Sequence, residues 1–261
     1  MPNDTATVDP TQSRRLKLIV AYDGAPFAGW QSQTQKNTVQ DHLEAALGQV
    51  TGNATRVHGA GRTDAGVHAL GQCAHADVIT RLEPAKLLTA LNATLPSQIR
   101  ILQSRFVAEN FHARFSAHGK VYRYRIVTTP VFSPFEINRA WHLQGPLDER
   151  LLQECAKTFQ GQHDFAAFAA NRGTPVDSSV RTLRRVEVRQ GTVLTTIEFE
   201  GEGFLYKMVR MLVGAMARCA LGRISPSEIK DQLTRAVPAR QRLLAPAWGL
   251  TLLRVLYPKN Y

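Results

Sequence analysis

The feature that most constrains this chain is the order of its candidate elements, which runs through one series twice. In the first pass, residues 16–22 alternate as a strand. Val39, Leu43, Ala46 and Val50 then recur at helical spacing until Gly52 stops them. Strands over 56–59 and 69–78, a helix over 84–91 and a strand over 100–106 complete that pass. The second opens with a strand over 121–127 and a helix from Asp148, whose Leu151, Leu152, Cys155 and Phe159 form one stripe ended by Gly161. Strands over 182–189 and 193–200 flank a turn at Gln190-Gly191. A helix over 205–221 and a strand over 250–256 close the pass, with Ser225-Pro226-Ser227-Glu228 between them as a capping box.

Each pass reads β-α-β-β-α-β, the split βαβ unit in which helices cover one face of an antiparallel sheet. The expected fold is α+β. Two fused ferredoxin-like halves form a mostly antiparallel sheet, with helices on one face and a basic cleft on the other. A loose polar tail is expected over 1–13, an N-terminal half over 14–112 and a C-terminal half over 113–261, with the linker near 110–120.

Charge narrows the partner. The 261 residues hold 32 Lys plus Arg against 21 Asp plus Glu, a net +11, and such an excess calls for a polyanion. Cys73, Cys155 and Cys219 stand far apart with no CxxC pair, as suits a reducing compartment. The N-terminal residues lack an apolar run of signal-peptide kind. The greasiest stretch, 208–220, is short and interrupted by Arg210 and Arg218, so no membrane span is expected. The chain thus reads as soluble and cytoplasmic.

Three stretches carry candidate chemistry. His58-Gly59-Ala60-Gly61-Arg62-Thr63-Asp64-Ala65-Gly66-Val67-His68-Ala69 crowds three glycines around one charged loop after a strand. It has no Gly-Lys-Ser/Thr, so it is not a phosphate-cradling loop; its glycines suit positive φ and close approach of a ligand to the backbone. His58, His68, Cys73 and His75 show no metal-site spacing, and His68 reads as a hydrogen-bonded structural residue. From 105 to 125, Arg105, Arg114, Lys120, Arg123 and Arg125 interleave with Phe106, Phe111, Phe115, Tyr122 and Tyr124. Aromatic faces take unstacked bases and the cations take phosphates. On a strand, Tyr122 and Tyr124 share one face and Arg123 and Arg125 the other. Third, residues 203–214 place Lys207 and Arg210 on one helix face opposite an apolar stripe, usually a solvated arrangement.

Together these segments resemble the TruA family of tRNA pseudouridine synthases over nearly the whole chain. The likeness rests on Tyr22-Asp23-Gly24, Gly29-Trp30-Gln31, Gly61 through Ala69, Lys120-Val121-Tyr122-Arg123-Tyr124, Phe204 through Arg210, and Ala245 through Leu250. Phe111 through Ser116 and Val180-Arg181-Thr182 are similar too. The resemblance implies a homodimer that acts on tRNA. It would isomerise uridine in the anticodon stem–loop, at positions 38–40, with neither metal nor organic cofactor. Asp64 would be the nucleophile or essential carboxylate. Arg62 would help displace the target base, Tyr122 would stack on the uracil, and Arg210 would pair with Asp64. Leu250 would be an apolar wall of the pocket. Thr251, where the family often has an aromatic, and Leu243-Leu244, where a small polar loop is common, depart from the pattern. A guanidinium within about 4–6 Å is what keeps a carboxylate charged where water is scarce, so a direct Asp64–Arg210 pair is expected. The tyrosine hydroxyl near C5 would make a weak base unless perturbed. Two other readings stand beside this one. The first is a tRNA-binding protein or chaperone of the same fold that performs no chemistry. The second is a nuclease or glycosidase, which needs a metal or a second carboxylate; Asp77, Asp164 and Asp177 are available by type.

Overall fold

The computed structural model describes residues 12–170, 177–236 and 243–259. The expected tail over 1–13 lies outside them except for its last two residues. The first series comprises β1 (Arg14–Tyr22), α1 (Val39–Thr51), β2 (His58–Gly59), β3 (His68–Val78), α2 (Pro84–Thr94) and β4 (Ile99–Val107). The second comprises β5 (Gly119–Val127), β6 (Trp141–His142), α3 (Glu149–Phe159), β7 (Gly161–Asp164), β8 (Val180–Gln190), β9 (Leu194–Gly201), α4 (Met208–Ala220), α5 (Pro226–Arg235) and β10 (Leu250–Leu256). Local chemistry sets several boundaries. Thr38 and Asp41 form a reciprocal capping box before α1, Gly52 ends that helix at φ 75°, and Ser225 with Glu228 caps α5.

All ten strands join one sheet in the order β4-β1-β3-β10-β5-β9-β8-β7, with β2 on β3 and β6 on β5. The last strand therefore lies in the middle. β10 runs antiparallel to β5 and parallel to β3, meeting β3 only at Thr251↔His68 and Leu252↔Ala69. Beyond those pairs β3 takes β2 along the same edge, at His58↔His75 and Gly59↔Ala74.

Alternation decides what each face buries. Leu16, Leu18 and Val20 of β1 pack in one core with Leu43 and Leu47 of α1 and Leu87 and Leu91 of α2. Across the sheet Ile197 and Phe199 meet Leu152, Phe159, Leu212 and Met216 in that same core. The alternate β1 residues face the other way, where Ile19 packs on a smaller cluster of Ala60, Cys73, Phe111 and Ala113. The three cysteines are free and buried. No helix among the described residues is long and apolar enough to cross a membrane.

Several expectations are corrected. The segment near 110–120, which connects β4 to β5, is anchored to the sheet: Phe111 and Ala113 are fully buried, and Lys17 Nζ lies 4.8 Å from the Phe111 ring centre. The strand expected over 56–59 is reduced to two residues. The helix expected from 205 begins at Met208, because Lys207 adopts a left-handed φ of 59° and turns the chain just before it. Neither β6 nor β7 is among the expected strands. Arg123 and Arg125 are not free for phosphate, since cross-strand and loop carboxylates take them: Glu198 binds Arg123 and Glu136 binds Arg125, both at 2.7 Å.

One close approach fixes α4 against the chain before β10. A Cβ built on Gly214 would lie 1.8 Å from Leu243 O, a backbone atom. Gly214→Ala should therefore lower stability by about 2–3 kcal/mol, as overpacking of a tight interior does. Urea denaturation of the two proteins measures this; equal midpoints would contradict it.

Candidate active site

The glycine-rich stretch forms the loop from β2 to β3, and backbone bonds pin it on both sides of Asp64. Ala60 N–H donates to Cys73 O at 2.8 Å, and Gln72 Nε2 donates to Gly61 O at 2.8 Å. Trp30 N–H reaches Thr63 O at 3.1 Å, the Tyr22 hydroxyl shares a 2.8 Å hydrogen bond with Thr63 Oγ1, and Val67 N–H closes a turn on Asp64 O. Of the three glycines only Gly66 uses a positive φ, 78°. Gly59 answers to crowding instead: an added Cβ would sit 2.5 Å from the Trp30 indole, whereas at Gly61 it would meet only the flexible end of Lys120, 2.9 Å from Nζ. His68, structural as read, accepts Gly24 N–H on Nδ1 and donates from Nε2 to Trp248 O.

Asp64 meets Arg210 from the first turn of α4. Arg210 Nη1 donates to Asp64 Oδ2 at 2.9 Å, with side-chain exposures of 12% for the arginine and 18% for the aspartate. Arg210 Nε donates to Ala245 O at 2.8 Å, and Ala245 N–H returns a bond to Arg210 O at 3.2 Å. A charge-assisted bond from a guanidinium fixed at its other edge orients the carboxylate as well as neutralising it. The segment just before β10 does this holding. It also accepts the Tyr124 hydroxyl at Pro246 O, 2.8 Å, and His68 at Trp248 O. Arg210 is therefore not the solvated helix-face residue that its spacing suggested.

Around the pair opens a cleft of about 1000 Å³, lined among others by Arg62, Asp64, Tyr122, Arg210 and Leu250. The loop, the β5 tyrosine, the α4 arginine and the β10 leucine thus meet at one place. Tyr122, 7% exposed, stands edge-on to Phe204 with ring centres 5.0 Å apart, and Leu250 is 6% exposed. Burial pushes the Tyr122 hydroxyl above its ordinary range, with Tyr22 and the charge of Asp64 adding to the effect, so it suits stacking better than proton removal. Arg62 is exposed, and its Nε donates to Gln31 Oε1 at 3.0 Å.

Sequence reasoning missed what stands behind Arg62. Gln31 donates to Gln40, 2% exposed on α1, which in turn donates to Glu44 and Val57 O. A polar residue inside the apolar stripe of α1 was the available signal. Phe204 and Arg181 in the cleft wall were quoted only as parts of motifs.

The charge of the lining is one-sided. Arg56, Arg62, Arg114, Lys120, Arg181, Lys207 and Arg210 face a single carboxylate, Asp64, among the described lining residues. Of the alternative carboxylates, Asp77 is paired with Arg15 at 2.7 Å and Asp164 caps Ala166 N–H. Lys120 has its ammonium held down to about 8 by burial and by repulsion from Arg114.

A polycationic cleft closed around one guanidinium-held carboxylate, with an aromatic pocket beside it, defines an enzyme site for nucleic acid. The chain belongs to the tRNA pseudouridine synthase family, whose model matches residues 18–116 and 155–258. Among its relatives are the tRNA pseudouridine synthase A of Akkermansia muciniphila, 44% identical over 94% of this chain and 96% of that protein, and that of Methylacidiphilum infernorum, 42% identical over 94% and 96%. The tRNA pseudouridine synthase A of Solidesulfovibrio magneticus is 44% identical over 93% of this chain and 91% of its own. Among solved structures the archaeal box H/ACA Nop10–Cbf5 complex aligns at 12% identity with a TM-score of 0.36, over 77% of this chain and 42% of that one, too loosely to carry weight.

Proposed function

We propose that this chain converts uridine to pseudouridine in the anticodon stem–loop of tRNA, at positions 38–40, with Asp64 as its nucleophile or essential carboxylate. The observation that carries this reading is the 2.9 Å Asp64–Arg210 pair inside a cleft whose other Lys, Arg, Asp and Glu lining residues, among those described, are all cations. The reaction breaks the bond from ribose C1′ to N1, turns the uracil and rejoins it through C5; C5 loses a proton and N1 gains one. Atoms and electrons balance within the substrate, so no donor or redox partner enters the equation. Two routes use the same carboxylate, attack on C1′ or removal of a 2′ proton, and an isotope effect from 2′-deuterium separates them.

The base must first leave the stack, at a cost of a few kcal/mol. Stacking on one aromatic side chain returns about 1–3 kcal/mol, and Tyr122 is the ring available beside Asp64. Arg62, exposed and braced by Gln31, is suited to enter where the base leaves, and Leu250 gives the pocket an apolar wall. The test is to incubate the protein with unmodified tRNA and map pseudouridine. Modification without strand cleavage, unchanged by EDTA, is expected. Bound but unmodified tRNA would favour the non-catalytic reading, and cleavage the nuclease.

Lys120 supplies a pH dependence. Its ammonium serves a phosphate only while protonated, and its value of about 8 lies far below the ordinary 10.5. As pH rises through 8 the charge is lost in the free protein, so tRNA binding should weaken between pH 7 and pH 9, by up to about tenfold at one phosphate contact. Lys120→Arg, always protonated, should flatten that part of the profile. A wild-type profile already flat across this range would refute the assignment.

We also propose that the enzyme is a cytoplasmic homodimer. Val131, Phe135 and Ile137 are 82%, 86% and 55% exposed within seven residues of chain, an apolar surface of the kind that partners cover.

A further inference from the structure

Phe115 is 76% exposed and serves no core, yet the chain around it is tightly held. His112 N–H donates to Ser116 Oγ at 3.0 Å, and Ser116 N–H returns to His112 O at 2.9 Å. The N–H groups of Arg114 and Phe115 both donate to His112 Nδ1, at 3.1 and 3.2 Å. Below the turn, fully buried Phe111 and Ala113 anchor it to the sheet, and Ala113 N–H donates to His75 Nδ1.

The Phe115 ring lies at the outer end of a cluster of rings. It lies 4.3 Å from the His112 ring, which is 4.6 Å from His75, which stacks on His58 at 5.0 Å. His75 is held down to about 4, first by burial and then by His112, His58 and Arg15, against a smaller opposing pull from Asp77. The cluster therefore has a neutral ring at its centre. His58, His112, Arg114 and Phe115 line the same cleft as Asp64, and the Arg114 guanidinium lies 5.5 Å from the Phe115 ring centre.

A ring presented to water in a fixed pose, with a cation beside it in a polycationic cleft, is what an unpaired nucleobase and its phosphate require. Tyr122 is nearly enclosed, at 7% exposure, and is taken up by the target base; extruding that base leaves its neighbours without a stacking partner. We propose that Phe115 is a second stacking platform, binding a nucleobase of the RNA other than the one held at Asp64, while Arg114 holds the accompanying phosphate. The inference rests on the pseudouridine synthase reading above.

The test compares Phe115→Ala, Phe115→Leu and Phe115→Trp with wild type in the full-length protein. The measurements are tRNA affinity over a salt series, turnover at saturating tRNA, the thermal melt and the oligomeric state. Loss of one stacked base should weaken binding roughly 5- to 150-fold in the alanine variant, with the slope of affinity against salt unchanged because no phosphate contact is lost. Tryptophan should restore affinity and leucine should not. A 2-aminopurine placed next to the target uridine should be quenched on binding wild type and not on binding Phe115→Ala. Affinity within twofold of wild type in the folded alanine variant overturns the proposal. So does rescue by leucine, or a changed oligomeric state, which would put the ring in an interface between copies. If wild type modifies no tRNA at all, the functional reading fails first; if it does and Phe115→Ala binds normally, only this inference fails.

Discussion

Asp64→Asn should bind tRNA within about threefold of wild type and form no measurable pseudouridine, a loss of about four to six orders of magnitude in turnover, as when an essential nucleophile is removed. Asparagine keeps the size of the side chain and an oxygen that can still accept from Arg210 Nη1, so the loop should keep its shape. What disappears is the charge, and a neutral amide oxygen is a poor nucleophile and a poor base. The folding cost should stay near 1–2 kcal/mol. Breaking a fully buried ion pair costs about 3–5 kcal/mol, but these partners keep 12% and 18% exposure and part of their hydration. Single-turnover assays with saturating enzyme isolate the chemical step. Turnover within tenfold of wild type would remove Asp64 from the mechanism.

Arg210→Met should lower turnover at saturating tRNA by about 10²–10³, the usual loss when one preorganised electrostatic partner is removed. Affinity should change little, because this guanidinium is already committed to Asp64 and Ala245 O and does not await a phosphate. Methionine fills a similar volume and leaves the carboxylate of Asp64 without its counter-charge. Arg210→Lys should recover only part of the loss: one ammonium cannot hold both acceptors in the fixed fork of a guanidinium. A pure loss of tRNA affinity with normal saturated turnover would instead make Arg210 a phosphate-binding residue.

Much of this architecture is legible without coordinates where local chemistry writes it. Ser225 and Glu228 announce the start of α5, and residues 250–256 read as a strand and are one. The doubled order of elements carries further, because each ferredoxin-like unit leaves few ways to pair its strands. Other features are silent because they depend on partners distant in the chain. The alternation of β5 places Arg123 and Arg125 opposite the tyrosines, but only the neighbours Glu198 and Glu136 decide that they are ion-paired within the protein. The segment before β5 reads as a linker, but that Phe111 packs within it against Lys17 and Tyr257 is seen only in three dimensions.

By itself the amino-acid sequence determined the two β-α-β-β-α-β passes, the caps, the excess of positive charge and the loop on which Asp64 sits. These follow from periodicity and from the conformational preferences of neighbouring residues. Only tertiary structure decided that the last strand would lie between β3 and β5, and that Arg210 would be gripped at Ala245 and delivered to a carboxylate 146 positions away. It also decided which cations remain free to meet RNA. The reason is physical: a backbone period acts over a few residues, whereas an ion pair is selected by the packing of every element between its two ends.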